Sequence, residues 1–248
     1  MSLEERVKFA DMKARHKNIL RPWYKKWWGI LVSLIGLIVL MAIIAAGIYV
    51  VQTIINIRSG TDQTNNEQQR QQYLASINGG QNYFTGTSTP QVTIIEFGDF
   101  ACPFCFASEA GLNQIRAKYA NQIKLIWRDY PLHPTSIDLA LAARCAGEQG
   151  KFWSYHDLLF ADQDKMATSS GTDLNTQLNV LAQSLSLNTG TFASCLSSQK
   201  YLDQIRKDYN DGETLQVQGT PTWFINNYPI TGAIAADQFP TLIQGLIK

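Results

Sequence analysis

Hydrophobic and polar positions divide this 248-residue chain into three regimes. From Trp27 to Val51 no residue is charged and nearly all are apolar or small. As a helix this stretch rises roughly 37 Å, enough to cross a hydrocarbon core of about 30 Å with some tilt. Trp23, Tyr24, Trp27 and Trp28 stand at one end and Tyr49 near the other, where amphipathic rings suit a membrane interface. The pattern predicts a single transmembrane helix over 27–51. A cleaved signal peptide fits poorly, because the preceding basic region is long and no small-x-small site follows, and a buried core helix is excluded by length. From Arg58 to Gln81 the chain turns to Gln, Asn, Ser, Thr and Gly, too polar to offset the entropy of ordering. Residues 52–80 therefore read as a polar tether, with Gln68 to Ile77 compatible with a short helix.

The third regime, 81–248, is long enough for one sizeable core. Gln91 to Phe97 is β-rich and apolar, Gly98-Asp99 turns, and Pro103 to Ala120 has helical periodicity. Ile123 to Arg128 is a second strand, so strand, helix and strand form a parallel crossover. Helical patterns fill about 136–212: Asp138 to Gln149, Phe152 to Phe160, Asp173 to Leu185, Thr191 to Ser197 and Tyr201 to Gly212. Thr222 to Ile225, a turn at Asn226-Asn227 and Tyr228 to Thr231 make a hairpin, and Asp237 to Ile247 closes as a helix. The domain is α/β with an inserted helical block.

Charge orients this plan. Residues 1–26 carry eight Lys or Arg against three acids, whereas Gln52 to Gln91 has only Arg58 and Arg70 beside Asp62 and Glu67. Positive charge stays on the cytoplasmic side, so 81–248 is expected outside the cytoplasm. The basic segment, itself compatible with a surface helix, serves as a topology signal beside anionic lipid, and a net charge of +1 gives no support for a nucleic-acid partner.

All four cysteines follow the apolar segment, where disulfides persist if the topology is right. Cys102-Pro103-Phe104-Cys105 sits where a strand feeds a helix, with Pro103 at the first helical position, where its missing amide hydrogen costs little. Free backbone amides at a helix start favour the thiolate, which makes Cys102 both a target and a good leaving group in disulfide exchange. Half of a zinc site is the competing reading, with Cys145, Cys195, His133 and His156 as further donors, but these include no second close pair. Cys145 and Cys195 read as a structural disulfide in an oxidising compartment or as two buried thiols. A bond closing so long a loop contributes roughly 4 kcal/mol in the chain-entropy treatment. Glu96, six residues before Cys102 on an apolar strand, is either buried with a raised pKa or reaches solvent at a strand edge. His133 and His156 read as packing or surface residues, and Phe97, Phe100, Phe104, Trp127, Trp153, Trp223 and Phe224 as mostly core, with Phe104 foremost among them as a candidate to line an apolar substrate groove.

Several segments carry a family resemblance in consistent order. Tyr83-Phe84-Thr85-Gly86, then Val92-Thr93-Ile94-Ile95-Glu96-Phe97-Gly98-Asp99-Phe100-Ala101-Cys102-Pro103-Phe104-Cys105, resemble the start and active site of the DsbA family. Arg128-Asp129-Tyr130-Pro131-Leu132, Cys145-Ala146 with Gly150-Lys151-Phe152-Trp153, and Gly219-Thr220-Pro221-Thr222-Trp223-Phe224-Ile225-Asn226 resemble later segments. The resemblance covers about 83–248 and implies a thioredoxin-like fold with an inserted helical subdomain. It further implies that Cys102 is the substrate-linked nucleophile, Cys105 its resolving partner, Glu96 a proton relay, and Pro221 a cis-proline leaving the Thr220 backbone free for an extended substrate. The alternative for Pro221 is an ordinary trans proline before a strand. Phe104 departs from the Cys-Pro-His-Cys form of the motif, and a phenyl ring neither donates a hydrogen bond nor carries charge, so weaker thiolate stabilisation is expected.

The resulting expectation is a membrane-anchored oxidase that introduces disulfides into exported thiol-containing proteins. It calls for no cofactor, and the resemblance implies a quinone-linked reoxidase of the DsbB or vitamin K epoxide reductase type in the same membrane. A disulfide reductase or isomerase, and a thiol-based metal-binding or chaperone module, are the alternatives.

Overall fold

The computed structural model describes residues 2–19, 27–78 and 82–247; the expected interfacial pair Trp23 and Tyr24 and the domain start at Gln81 lie outside them. Two compact units are present, Met1–Glu67 and Gln68–Lys248. In the first, α1 (Leu3–Ile19) precedes a 51-residue helix, α2 (Trp27–Ile77), that continues into the second. Trp27–Ile55 is long and apolar enough to cross a membrane. Its Leu, Ile and Val side chains are exposed within the unit, the pattern expected of a helix whose solvent is lipid.

The tether expected over 52–80 is corrected by α2, which runs unbroken to Ile77. Nucleation is the costly step of helix formation, and a helix already formed by the apolar segment propagates cheaply into Gln-, Glu- and Arg-containing sequence. The last turns then dock within the second unit. Leu74 is 0% exposed and Ile77 is buried against Ile95, Phe97, Ile126 and Phe224, so the folded unit begins earlier than 81. The terminal carbonyl of Ile77 accepts from Asn82 Nδ2 at 3.0 Å and from Arg128 at 3.3 Å, while Lys124 Nζ reaches the Asn78 carbonyl at 3.3 Å. Cations at a helix carboxyl end oppose its dipole and satisfy its orphan carbonyls.

The second unit holds a five-stranded sheet in the order β1-β3-β2-β4-β5: β1 (Phe84–Gly86), β2 (Val92–Gly98), β3 (Ile123–Asp129), β4 (Thr222–Ile225) and β5 (Tyr228–Thr231). β2 and β3 are parallel across α3 (Pro103–Lys118), and the remaining pairings are antiparallel. Three-residue β1 is too short to show alternation and was legible only as part of the family resemblance. Side chains alternate across a strand, so Val92, Ile94 and Glu96 share one face of β2. Val92 and Ile94 pack there against Leu112 and Ile115 of α3 and Phe239 and Ile243 of α10 (Gln238–Leu246). Ile95 and Phe97 take the other face, against the end of α2. This is a thioredoxin-like α/β fold.

Between β3 and β4 lies the helical insertion: α4 (Ser136–Gly147), α5 (Phe152–Ala161), α6 (Gln163–Thr168), α7 (Gly171–Ser184), α8 (Thr189–Ser197) and α9 (Leu202–Thr214). Only the six-residue α6 was unforeseen. α4 is buried almost throughout and is joined to α8 by the Cys145–Cys195 disulfide, with Cα atoms 5.8 Å apart.

If the end of α2 belongs to the folded unit, Leu74→Ala opens a cavity in its core. The expected loss is about 2–5 kcal/mol, measured as a lowered denaturation midpoint of the full chain in detergent; a loose tether would leave the midpoint unmoved.

Candidate active site

β2 delivers the chain to the site through a turn held by one residue. Asp99 Oδ1 accepts from the Ala101 amide at 2.9 Å, and its Oδ2 accepts from the Leu132 amide at 2.8 Å and lies 2.7 Å from His133 Nδ1. Its backbone amide faces Cys105 Sγ at 3.5 Å and its carbonyl accepts from the Cys102 amide at 3.0 Å. From the opposite side Gln163 of α6 donates to the carbonyls of Phe100 and Cys102 at 2.9 and 3.0 Å. The active-site turn is thus clamped by its own aspartate and by a glutamine from the insertion.

Cys102 is the N-cap of α3 in extended conformation, followed by Pro103 in the first turn. Both Cys102 and Cys105 are free thiols. Cys102 is only 3% exposed; the Thr220 carbonyl lies 3.3 Å from its sulfur and accepts from it when the thiol is protonated. The Thr220–Pro221 peptide is cis, which brings that carbonyl over the dithiol. Phe104, at 63%, and Phe106, at 50%, are the exposed apolar rings of the first turns of α3.

The two thiols are electrostatically unlike. A hydrogen bond from Cys105 is the largest influence on Cys102, lowering it to about 5 against the desolvation that raises it, and Thr220 with the Cys105 and Phe104 amides acts in the lowering direction. Cys105 is pushed well above an ordinary thiol by burial, by its bond to Cys102 and by the charge of Glu96. The same motif thus favours the thiolate at Cys102 and the thiol at Cys105.

Glu96 is fully buried, and neither carboxylate oxygen finds a hydrogen bond among the described residues. Burial, then the charges of Glu109 and Cys102, raise its carboxyl well above the usual range; the solvent-reaching alternative does not hold. The absence of a side chain at Gly98 matters here, since a Cβ would lie 2.4 Å from Trp127 and 3.1 Å from Glu96 Oε1.

Three features escaped the sequence reading. Asp99 bonding an amide two residues on is an Asx-type turn that its position after Gly98 signals, and Glu109 lies four residues past Cys105 on the same helix face. Gln163 comes from the insertion, more than sixty residues past β2, and left no local signal, whereas His156 is buried, as the packing reading expects. Cys145 and Cys195 are consumed in their disulfide, which removes them from the donor set of the zinc alternative, and His133 is engaged with Asp99.

A profile described as Thioredoxin matches residues 78–245. Among relatives, an Na(+)/H(+) antiporter NhaA 1 of Salinispora arenicola is 31% identical over 156 residues, covering 62% of this chain and 23% of that protein. An NhaA 1 of Mycobacterium sp. (strain KMS) is 29% identical over 147 residues, covering 58% and 23%. The chain spans less than a quarter of these curated relatives. Among solved structures, alpha-DsbA1 of Wolbachia pipientis superposes with TM-score 0.61 at 22% identity, covering 68% of this chain and 92% of that one. BdbD of Bacillus subtilis gives 0.59 at 24%, covering 66% and 92%, and the catalytic domain of ScsC from Proteus mirabilis gives 0.58 at 21%, covering 71% and 97%.

The dissimilarity of the thiols sets a pH dependence. Alkylation of the reduced protein should titrate with a midpoint near pH 5, label Cys102 by peptide mapping, and leave Cys105 unmodified at neutral pH. A midpoint near 8.5, that of a free thiol, would contradict the geometry.

Proposed function

We propose that the chain, which belongs to the thioredoxin family, is a DsbA-like thiol–disulfide oxidoreductase working by exchange at the Cys102–Cys105 dithiol, a membrane-anchored oxidase acting outside the cytoplasm. The observation that carries the proposed direction is the place of Cys102 at the start of α3, where Cys105 and the free amides of the first turn favour its thiolate. Stabilising one thiolate of a dithiol stabilises its reduced form and makes the disulfide more oxidising. A value near 5 falls between about 7 for thioredoxin and about 3.5 for DsbA.

In this mechanism a substrate thiolate attacks Cys102 Sγ of the Cys102–Cys105 disulfide. The S–S bond breaks, Cys105 leaves as a thiolate and takes a proton, for which the buried Glu96 carboxyl is the donor, and a mixed disulfide joins Cys102 to substrate. A second substrate thiolate attacks the substrate sulfur, Cys102 departs as its stabilised thiolate, and the substrate has lost two electrons to the enzyme dithiol. The cis peptide presents the Thr220 backbone beside Cys102, where an extended chain pairs in the manner of an added strand, and Phe104 and Phe106 offer apolar contact.

Reoxidation returns two electrons to an acceptor. A quinone-linked membrane partner of the DsbB or vitamin K epoxide reductase type fits that need, and the apolar part of α2 supports its placement in the same membrane. The basic segment before α2 supports an outward-facing catalytic unit. Substrates are then exported proteins with pairs of thiols.

A redox titration of the full chain in detergent tests the direction. The expected potential lies between roughly −270 mV, that of thioredoxin, and −120 mV, that of DsbA, with oxidation of a reduced test protein. A potential at or below the lower figure, without oxidation, would instead identify a reductase. Phe104→His adds a donor and a positive charge beside Cys102; each pKa unit it removes should raise the potential by about 30 mV, read in the same titration.

A further inference from the structure

Behind the dithiol lies a second group of ionisable side chains that exchange at Cys102 does not use. Glu109 of α3 is buried, and both its oxygens lack hydrogen-bond partners among the described residues. His156 of α5 is fully buried among Phe100, Trp127, Trp153 and Phe160, with ring centroids 4.9 to 5.5 Å away. Its Nε2 also lacks a partner and lies 4.0 Å from Glu109 Oε1, while its Nδ1 is 3.0 Å from Asp157 Oδ1. Asp157 has a side chain 42% exposed and reaches solvent. An orphaned carboxylate, an imidazole with one nitrogen toward each acid, and an acid at the surface stand in sequence. The donor atoms of the three lie within 4.8 Å of one another. A cation is disfavoured because Arg116 already holds both Asp157 oxygens, at 2.7 and 3.3 Å, and its guanidinium lies 4.9 Å from the Trp153 ring centroid.

We infer that Glu109, His156 and Asp157 form the outer leg of the proton path serving Cys105, carrying protons between the buried Glu96 and solvent. The inference rests on Glu96 being the group that exchanges a proton with Cys105, and it holds whichever way electrons flow. During enzyme reduction the Cys105 thiolate takes the Glu96 proton, leaving a carboxylate. Glu109 in its acid form reprotonates Glu96 through an intervening water, and His156, starting as its Nε2–H tautomer, gives the Nε2 proton to Glu109 while it takes one at Nδ1 from the Asp157 side, ending as the Nδ1–H tautomer. The sum is one proton from solvent onto Cys105, and reoxidation runs the path backwards. An imidazole binds and releases protons at different nitrogens, so it passes one along without rotating. Burial first, then the charge of Asp157, raises Glu109 against His156 and Arg116, which favours its acid form. The charged and titratable groups facing this path are Glu96 from β2, Cys102, Cys105, Glu109 and Arg116 from α3, and His156 and Asp157 from α5.

The test uses the full chain in detergent, comparing wild type with Glu96→Gln, Glu109→Gln, His156→Asn and Asp157→Asn. Stopped-flow reduction of the Cys102–Cys105 disulfide by dithiothreitol is followed from pH 5 to 9, with proton uptake read by an indicator dye and Tm recorded for each variant. Glu109→Gln and His156→Asn should each slow proton uptake roughly tenfold or more, since positioned proton transfer contributes about 10²–10⁴-fold. Their combination should add little, and the alkylation midpoint of Cys102 should stay in place. Glu96→Gln altering the pH profile while the other three follow wild type would overturn the inference and leave Glu96 in its role; an unchanged Glu96→Gln would remove the inner acid too. Should His156→Asn fail to fold, half-exposed Asp157→Asn decides: slowed uptake at unchanged Tm supports the path, and wild-type uptake refutes it.

Discussion

Five charges buried together hold the insertion to the sheet. Arg128 and Asp129 end β3, Arg144 comes from α4, and Asp208 and Asp211 come from α9; Arg144 pairs with Asp129 and Asp208, and Arg128 with Asp208 and Asp211. Lys207 and Tyr73 each reach Asp211 at 2.7 Å, so the end of α2 is drawn into the same cluster. Such a cluster is a poor source of net stability, because desolvation takes back much of the attraction. Its effect is geometric: removing any one member strands a buried charge, so the helices dock in one arrangement. That arrangement governs the site. α9 leads through Val217, whose carbonyl accepts from Tyr130 Oη at 2.9 Å, to the Thr220–Pro221 peptide above Cys102. The active-site turn is gripped from the other flank by Gln163 of the insertion.

What sequence patterning reveals and what it hides divide along the range of the interactions. β2, β3, the hairpin β4–β5 and five of the six insertion helices follow from local periodicity within a residue or two, because each buries one continuous face. Cys102 and Cys105 were legible because motif, strand and helix lie side by side. The docked end of α2 was not, because its polar composition is overridden by three partners far away in the chain: Lys124 and Arg128 at its carboxyl end and the Phe224 surface beneath it. Gln163 was hidden for the same reason. A glutamine in a polar turn looks the same whether it faces water or an active site.

The dithiol is a case of opposite environments imposed on identical groups. Two residues, Pro103 and Phe104, separate a sulfur that receives hydrogen bonds at a helix start from one enclosed by apolar side chains beside a buried acid. Glu96 serves that difference by being uncomfortable: a carboxylate with no partner is a carboxylate ready to hold a proton. Phe104 does not undo the asymmetry, since the largest stabilisation of Cys102 comes from Cys105 itself, inside the motif rather than from the dipeptide between its ends.

The Cys145–Cys195 bond gives the chain a maturation requirement. A newly made polypeptide carries four equivalent thiols, and α4, through which Arg144 joins the ionic cluster, is pinned to α8 only once two of them have been oxidised. The described fold therefore asks for opposite oxidation states within one domain, a closed bond between α4 and α8 and an open pair at the start of α3.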